Sequence, residues 1–190
     1  MLRPAVFLDK DGTVIENVPY NVDPEKIRLV ATAAAGLTAL SGAGYQLVII
    51  SNQSGVARGL FAEEALSNVK ERVEKLLAEV GVPLAGFYYC PHHPQGSVAS
   101  YTTVCDCRKP APGMLMRAAR ELNLDLARSW MVGDLLDDME AGHGAGCRTV
   151  LIDSSHEEEW KLSVQRQPDF KAADLGEAAR MILIHSECLS

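Results

Sequence analysis

The chain has 190 residues, 47% of them hydrophobic and 23% charged, which places it among ordinary globular proteins and excludes disorder, collagen-like repeats and a coiled coil. Lys and Arg total 18 against 25 Asp and Glu. The resulting net charge of −7 disfavours nucleic acid and anionic membranes as partners but leaves room for a small phosphorylated substrate.

Met1-Leu2-Arg3-Pro4 runs into strand-like sequence without a signal-peptide core, and no apolar run reaches the length of a membrane span; a cytoplasmic location is expected. Ala5-Val6-Phe7-Leu8 is continuously apolar and stops at Asp9, the pattern of a short strand buried on both faces. Thr32 is predicted to cap a helix that runs to Ala43 and stops at Gly44. Gln46 to Ile50 reads as a second buried strand, closing on Ser51-Asn52-Gln53-Ser54. Leu66, Val69, Val73, Leu76, Leu77 and Val80 recur at helical spacing and predict a helix over Glu63 to Val80, ended by Gly81 and Pro83.

Phe87-Tyr88-Tyr89 reads as a third strand, and an irregular stretch follows from Pro91 to Pro112. Next come a helix over Gly113 to Asn123, the strand Trp130-Met131-Val132 ending at Gly133-Asp134, a short helix through Ala141, and the strand Thr149-Val150-Leu151-Ile152. Glu157-Glu158-Glu159 and the residues up to Pro168 read as a solvated surface connection, and Leu175 to His185 as a closing helix. Strands alternating with helices predict an α/β fold: a parallel sheet covered on both faces, in one domain over residues 1–190.

Three of the predicted strands end in Asp9, Ser51 and Asp134, and ligands of open parallel sheets bind outside the carboxyl ends of the strands. Arg108-Lys109 adds cations, giving an inventory suited to phosphoryl transfer assisted by a divalent ion. In Asp9-Lys10-Asp11-Gly12-Thr13, one carboxylate can attack phosphorus while the other protonates the leaving oxygen and later activates water. Taken alone, the same residues would serve as a polar turn after a strand. Asp9 and Asp134 can supply the carboxylates that Mg²⁺ prefers, although Asp134 alone would pass for a helix N-cap. Ser51 can donate to a phosphate oxygen, and Lys109 can neutralise charge developing on the transferred group. Asp138 reads equally well as an ordinary helix-face charge.

Cys90-Pro-His92-His93 followed by Cys105-Asp-Cys107 gathers three thiolates and an imidazole, a donor set for a tetrahedral structural zinc site, with His92 and His93 equally eligible as the fourth ligand. A loop of this length without regular structure is expected to be functional, and its last thiol directly precedes Arg108-Lys109. Cys147 and Cys188 read as small apolar fillers.

Asp9-x-Asp11-Gly-Thr13, Ser51, Lys109 in Arg-Lys-Pro, and Gly133-Asp134-x-x-x-Asp138 stand in the order in which they occur in the haloacid dehalogenase (HAD) superfamily, which the chain resembles over almost its whole length. The resemblance implies a three-layer α/β/α Rossmann-like core with a mostly parallel sheet. It further implies Asp9 as nucleophile, Asp11 as acid/base, and Mg²⁺ held by Asp9, the backbone carbonyl of Asp11, and Asp134. Tyr88 to Val98, Cys105 to Pro110 and Ser51 to Gly59 narrow the likeness to the family of capless, zinc-containing heptose-1,7-bisphosphate 7-phosphatases. For that family, zinc would sit on Cys90, His92, Cys105 and Cys107, with a loop over about residues 90–107 partly closing the site in place of a cap domain. Substrate contacts would map to Asn17, Val18, Pro19, Tyr20, Ser51, Asn52, Gln53, Ser54, Arg108 and Lys109.

The implied activity is removal of the 7-phosphate from a heptose bisphosphate in the synthesis of ADP-heptose for lipopolysaccharide. Two positions depart from the family pattern: Ser51 stands where threonine is frequent, and Leu135 where a basic residue is expected. Arg58 reads as a loop charge in preference to a further phosphate cation. The rival readings are a histidinol-phosphate phosphatase of the same superfamily and an inactive zinc-stabilised binding module. The complete set of Asp9, Asp11, Ser51, Lys109 and Asp134 argues against the latter. A monomer is expected.

Overall fold

Ala5, Val6, Phe7 and Leu8 have no exposure to solvent and form β1 (Ala5–Leu8), a strand covered on both faces. The computed structural model describes residues 2–152 and 163–186. After β1 come α1 (Ala33–Gly42), β2 (Gln46–Asn52), α2 (Ala65–Glu79), β3 (Gly86–Cys90), α3 (Gly113–Leu122), β4 (Trp130–Gly133), α4 (Leu136–Ala145), β5 (Arg148–Ile152), β6 (Phe170–Ala172) and α5 (Leu175–Ser186). The strands form one six-stranded sheet in the order β3-β2-β1-β4-β5-β6, with every pairing parallel.

Alternation along the strands divides the apolar side chains between two cores. Val6, Leu8, Leu47, Ile49, Trp130 and Val132 pack with α1, α2 and α5. Ala5, Phe7, Val48, Ile50 and Met131 turn to the other face, against α3 and Ala141 of α4. The result is the three-layer α/β/α arrangement. Among the described residues, no helix is long and apolar enough to cross a membrane.

Sheet order reverses between β1 and β4, the place where open α/β sheets leave a crevice at their carboxyl ends. Asp9 follows β1 and Asp134 follows β4, so the topology itself puts these two carboxylates side by side. The backbone N–H of Asp9 donates to Val132 O at 2.9 Å, fixing the start of the first loop against β4.

Several boundaries differ from those predicted. β2 continues through Ser51 and Asn52 because they pair with Tyr89 and Cys90 of β3. α4 runs on to Ala145 although Gly142 and Gly144 lie in its path. Gly142 is used for close packing, since a Cβ there would lie 2.7 Å from both Met131 Cβ and Thr149 Cγ2. α2 begins at Ala65, two residues after Glu63, whose carboxylate is engaged by tyrosines elsewhere. The connection expected to run to Pro168 holds a 3₁₀ turn over Val164–Arg166 and leads into β6, a strand missing from the sequence reading. Glu157-Glu158-Glu159 and Cys188 lie outside the described residues, while Cys147 is buried as expected of an apolar filler.

Candidate active site

A cavity of about 380 Å³ opens at the carboxyl ends of β1, β2 and β4. Asp9, Asp11, Ser51, Asn52, Lys109, Asp134 and Asp138 lie on its inner surface, with Asn17, Val18, Pro19, Tyr20, Ser54, Arg108, Leu135 and Asp137 completing the lining. Every expected catalytic residue is thus brought together. Val18, Tyr20 and Leu135 are exposed at this lining, and Tyr20 holds φ at +55°, a left-handed conformation uncommon for a bulky residue.

The floor is built on the buried Lys109 ammonium. It lies 2.5 Å from Asp9 Oδ1 and 2.5 Å from Asp138 Oδ1, and it donates to Ile50 O at 3.0 Å. Burial alone would lower its pKa, but the carboxylates of Asp138 and Asp9 outweigh burial and raise it. The lysine therefore stays charged. Asp138, left open as a helix-face charge, is fully buried and also accepts the Leu135 N–H at 3.2 Å through Oδ2, which caps the first turn of α4. Gly133 is required beside it, because a Cβ there would lie 2.2 Å from Asp138 Oδ2.

Asp134 supplies the third buried carboxylate. Burial, followed by repulsion from Asp9 and Asp138, pushes its pKa up to about 8. Asp138 is pushed up to about 7, chiefly by burial, with Lys109 opposing the shift. Oδ1 of Asp134 is buried without a hydrogen-bond partner among the described residues, and ligand oxygens of Asp9, Asp134 and Asp138 lie within 4.8 Å of one another. One ammonium among three clustered carboxylates leaves negative charge uncompensated, and the all-oxygen donor set fits Mg²⁺. Gly12 makes the close approach possible: it holds φ at +84°, and a Cβ at that position would lie 2.3 Å from Asp134 Oδ2.

Asp11 is clasped from two sides, by the buried Lys10 ammonium at 2.8 Å on Oδ1 and by Gln53 Nε2 at 3.4 Å on Oδ2. Burial raises its pKa, with Asp9 adding to the rise and Lys10 working against it. A carboxyl inclined to hold a proton suits a general acid.

Two residues expected at the substrate are occupied otherwise. Gln53 does not line the cavity: its amide lies behind Ser51, donating to Ser51 Oγ at 2.7 Å as well as to Asp11. Asn52 reaches the cavity, but its side chain accepts from Lys109 N–H and donates to Lys109 O, both at 3.0 Å. That pair of bonds positions the lysine. Asp137 was missed as a lining residue, and it is paired with Arg166 at 2.9 Å. The acidic run after Gly133 is the only signal that could have pointed to it.

The end of β3 and the stretch from Pro91 to Pro112 carry a second cluster. Sulfurs of Cys90, Cys105 and Cys107 are separated by 3.0–3.5 Å, and His92 Nδ1 lies 3.4 Å from Cys107 Sγ and 3.6 Å from Cys90 Sγ. Ligands of a tetrahedral zinc ion would stand about 3.5–3.8 Å apart, so the four groups fit one with little movement. His93 points elsewhere, its Nδ1 accepting from Gln95 N–H at 3.1 Å. The middle of the loop is also tied down: Tyr101 and Tyr89 both donate to the Glu63 carboxylate, at 2.6 and 3.0 Å.

The sequence profile of the HAD-hydrolase-like family matches residues 106–178. A D-glycero-beta-D-manno-heptose-1,7-bisphosphate 7-phosphatase of Yersinia pestis is 44% identical over 149 residues, 78% of this chain and 79% of that protein. The protein of the same name from Escherichia coli K12 is 44% identical over 149 residues, 78% of each chain. Among solved structures, a D,D-heptose 1,7-bisphosphate phosphatase from B. bronchiseptica, complexed with magnesium and phosphate, matches with a TM-score of 0.80 at 29% identity. The match covers 96% of this chain and 99% of that one. A protein from Mesorhizobium loti described as a HAD-like phosphatase matches with a TM-score of 0.82 at 36% identity, over 95% of this chain and 86% of the other. With the aspartates, the lysine and the Cys/His cluster at the expected places on this fold, the chain belongs to the heptose-1,7-bisphosphate 7-phosphatase family of HAD-like hydrolases.

Proposed function

We propose that the chain hydrolyses the 7-phosphate of D-glycero-β-D-manno-heptose 1,7-bisphosphate, releasing heptose 1-phosphate and inorganic phosphate. One observation carries the reading: Asp9, Asp11, Ser51, Lys109 and Asp134 converge on a single cavity at the sheet's switch point, in a chain whose curated relatives bear the name of this activity. The β anomer follows those relatives' names.

The Asp9 carboxylate attacks phosphorus, forming an Asp9–phosphate bond as the bond from phosphorus to the sugar oxygen breaks. Asp11 donates its proton to that departing oxygen, then takes a proton from the water that attacks the aspartyl-phosphate, which restores Asp9. Ser51 Oγ, fixed by Gln53, donates to a phosphate oxygen. Lys109 balances charge on the transferred group, held in place by Asn52 and Asp138. Mg²⁺ would be held by Asp9, the Asp11 carbonyl and Asp134, and when bound it would screen the nucleophile from the anionic phosphate. Zinc on Cys90, His92, Cys105 and Cys107 would fix the segment that presents Arg108 and Lys109, taking no part in the chemistry.

Selection of a sugar phosphate over histidinol phosphate is supported by Asp137. An ammonium-bearing substrate calls for a free acid in the cavity, and Asp137 is neutralised by Arg166, which also pairs with Glu140 at 2.7 Å. A monomer working in the cytoplasm on a precursor of surface glycans completes the reading. The test is phosphate release, with Mg²⁺, from both anomers of the heptose bisphosphate and from histidinol phosphate. Preference for the β-heptose is expected. Preference for histidinol phosphate would overturn the substrate, and no turnover of any of the three would overturn the activity.

A further inference from the structure

Lys109 is held at the floor by Asp9, Asp138 and Ile50 O, and the second cation of the cavity lining is Arg108, whose Nη1 donates to His92 O at 3.4 Å. Arg108 is thereby tied to the backbone next to His93, whose ring meets a second guanidinium. Arg58 Nη2 lies 3.2 Å from His93 Nε2, and burial, followed by the charges of Arg108 and Arg58, lowers the pKa of His93. Among the described residues, neither arginine has a carboxylate within ion-pairing distance.

The Arg58–His93 contact is anomalous as a hydrogen bond. Nδ1 of His93 accepts from the Gln95 backbone N–H at 3.1 Å, so it carries no hydrogen. An imidazole carries at least one, which must then sit on Nε2. Arg58 Nη2 is also a donor and never an acceptor. Two donors thus face each other at hydrogen-bonding distance, an arrangement that an acceptor receiving both hydrogens would satisfy. With two guanidiniums at hand, the acceptor best matched is an anion.

Backbone bonds hold the group to the metal-binding loop. Ala57 O accepts from Ser97 N–H at 2.7 Å and from Val98 N–H at 2.9 Å, while Ala57 N–H donates to Pro91 O at 3.2 Å. Gly96 permits the approach, since a Cβ there would lie 2.7 Å from Ala57 O. Arg58, the next residue in the chain, is therefore carried by the same unit as His93, and Arg108 directly follows the ligand Cys107.

We propose that Arg58, His93 Nε2 and Arg108 form an anion subsite at the metal-loop side of the cavity, which takes the phosphate that is not hydrolysed. The assignment rests on the bisphosphate reading above and revises Arg58 from loop charge to substrate contact. It makes recognition of the second phosphate depend on the turn after β2 as well as on the metal loop.

The test compares steady-state kinetics on heptose 1,7-bisphosphate and heptose 7-phosphate for the wild type, Arg58→Met and Arg58→Lys, all loaded with Mg²⁺ and zinc. Arg58→Met is expected to raise KM for the bisphosphate about tenfold, the weight of one partly exposed charge-assisted hydrogen bond, and to shift KM for the monophosphate far less. Arg58→Lys is expected to recover part of the loss and to retain the salt dependence of the bisphosphate KM. A wild type that prefers the bisphosphate, beside an Arg58→Met variant with the same preference, would overturn the subsite while leaving the proposed function standing. A wild type that hydrolyses neither sugar would overturn the proposed substrate and the subsite with it.

Discussion

Without a divalent ion at the floor of the cavity, the protein should lose stability as pH rises across the neutral range, and Asp134 should account for much of the loss. Its carboxyl is displaced from 3.8 to about 8, first by burial and then by Asp9 and Asp138. The folded state thus holds a proton that the unfolded state releases near pH 4. Between those values the native chain binds more protons, so stability falls with rising pH: the contribution is whole below the unfolded pKa and gone above the folded one. At roughly 1.4 kcal/mol per unit, the span amounts to about 6 kcal/mol, or ~12–24 °C in Tm for a chain of this size.

The assay is thermal unfolding from pH 5 to 8.5 of protein freed of Mg²⁺ by dialysis, a treatment that spares tightly held zinc. Asp134→Asn serves as reference, because its amide resembles the protonated acid and cannot ionise. Asp138 titrates in both proteins and interacts with Asp134, so the difference curve reports the ionisation of Asp134 together with its repulsion of Asp138. The wild type should fall behind the variant as pH rises, and saturating Mg²⁺ should restore the wild type alone. Parallel curves for the two proteins without Mg²⁺ would refute the reasoning.

Asp9→Asn should abolish phosphate release while leaving the fold intact, since it removes one of three crowded carboxylates; full residual activity would sink the nucleophile assignment. Asn52→Ala removes both bonds to the Lys109 peptide and should cost about 1–3 kcal/mol in denaturant unfolding, with kcat falling more than KM rises. A change confined to KM would instead make Asn52 a substrate contact. The purified protein should contain one zinc per chain by elemental analysis, and stripping it should lower Tm and raise KM, because Arg108 directly follows Cys107. Unaltered kinetics in the stripped protein would remove the loop's scaffold role.

The fold was legible where burial is two-sided. Residues Ala5 to Leu8 have no exposed surface, and no local arrangement other than a central strand suits four such residues ending at a carboxylate. Legibility failed where structure is set from a distance. β6 has three residues and, among the described residues, pairs with β5 alone, and the residue before it is placed when Asp169 Oδ2 accepts from Thr149 N–H at 2.8 Å and from Thr149 Oγ1 at 3.0 Å. Nothing in Asp169-Phe170-Lys171 announces that partnership. α4 outran its predicted end for a related reason: glycine lowers helix propensity, but at Gly142 the missing side chain lets the helix sit close on β4 and β5.

At the site, residue types were legible and the division of labour was not. Asp9, Ser51 and Asp134 reach one cavity because they stand at strand ends of a parallel sheet, and Asp11 and Lys109 join them from the loops. Which polar groups meet substrate and which hold other protein groups depends on distances that no spacing encodes. Gln53 and Asn52 sit in the same four-residue cluster as Ser51, yet one fixes the serine and the other fixes the lysine peptide from a segment over fifty residues away. Asp138 differs from the neighbouring Asp137 only in the direction it faces from α4: one meets the buried Lys109, the other Arg166. The loop that carries the Cys/His cluster follows the same logic. Its cysteines and histidine can be counted in the sequence, but their consequence is spatial: clustering Cys90, His92 and Cys105 with Cys107 delivers Arg108 and Lys109 to a floor whose carboxylates come from both sides of the switch point.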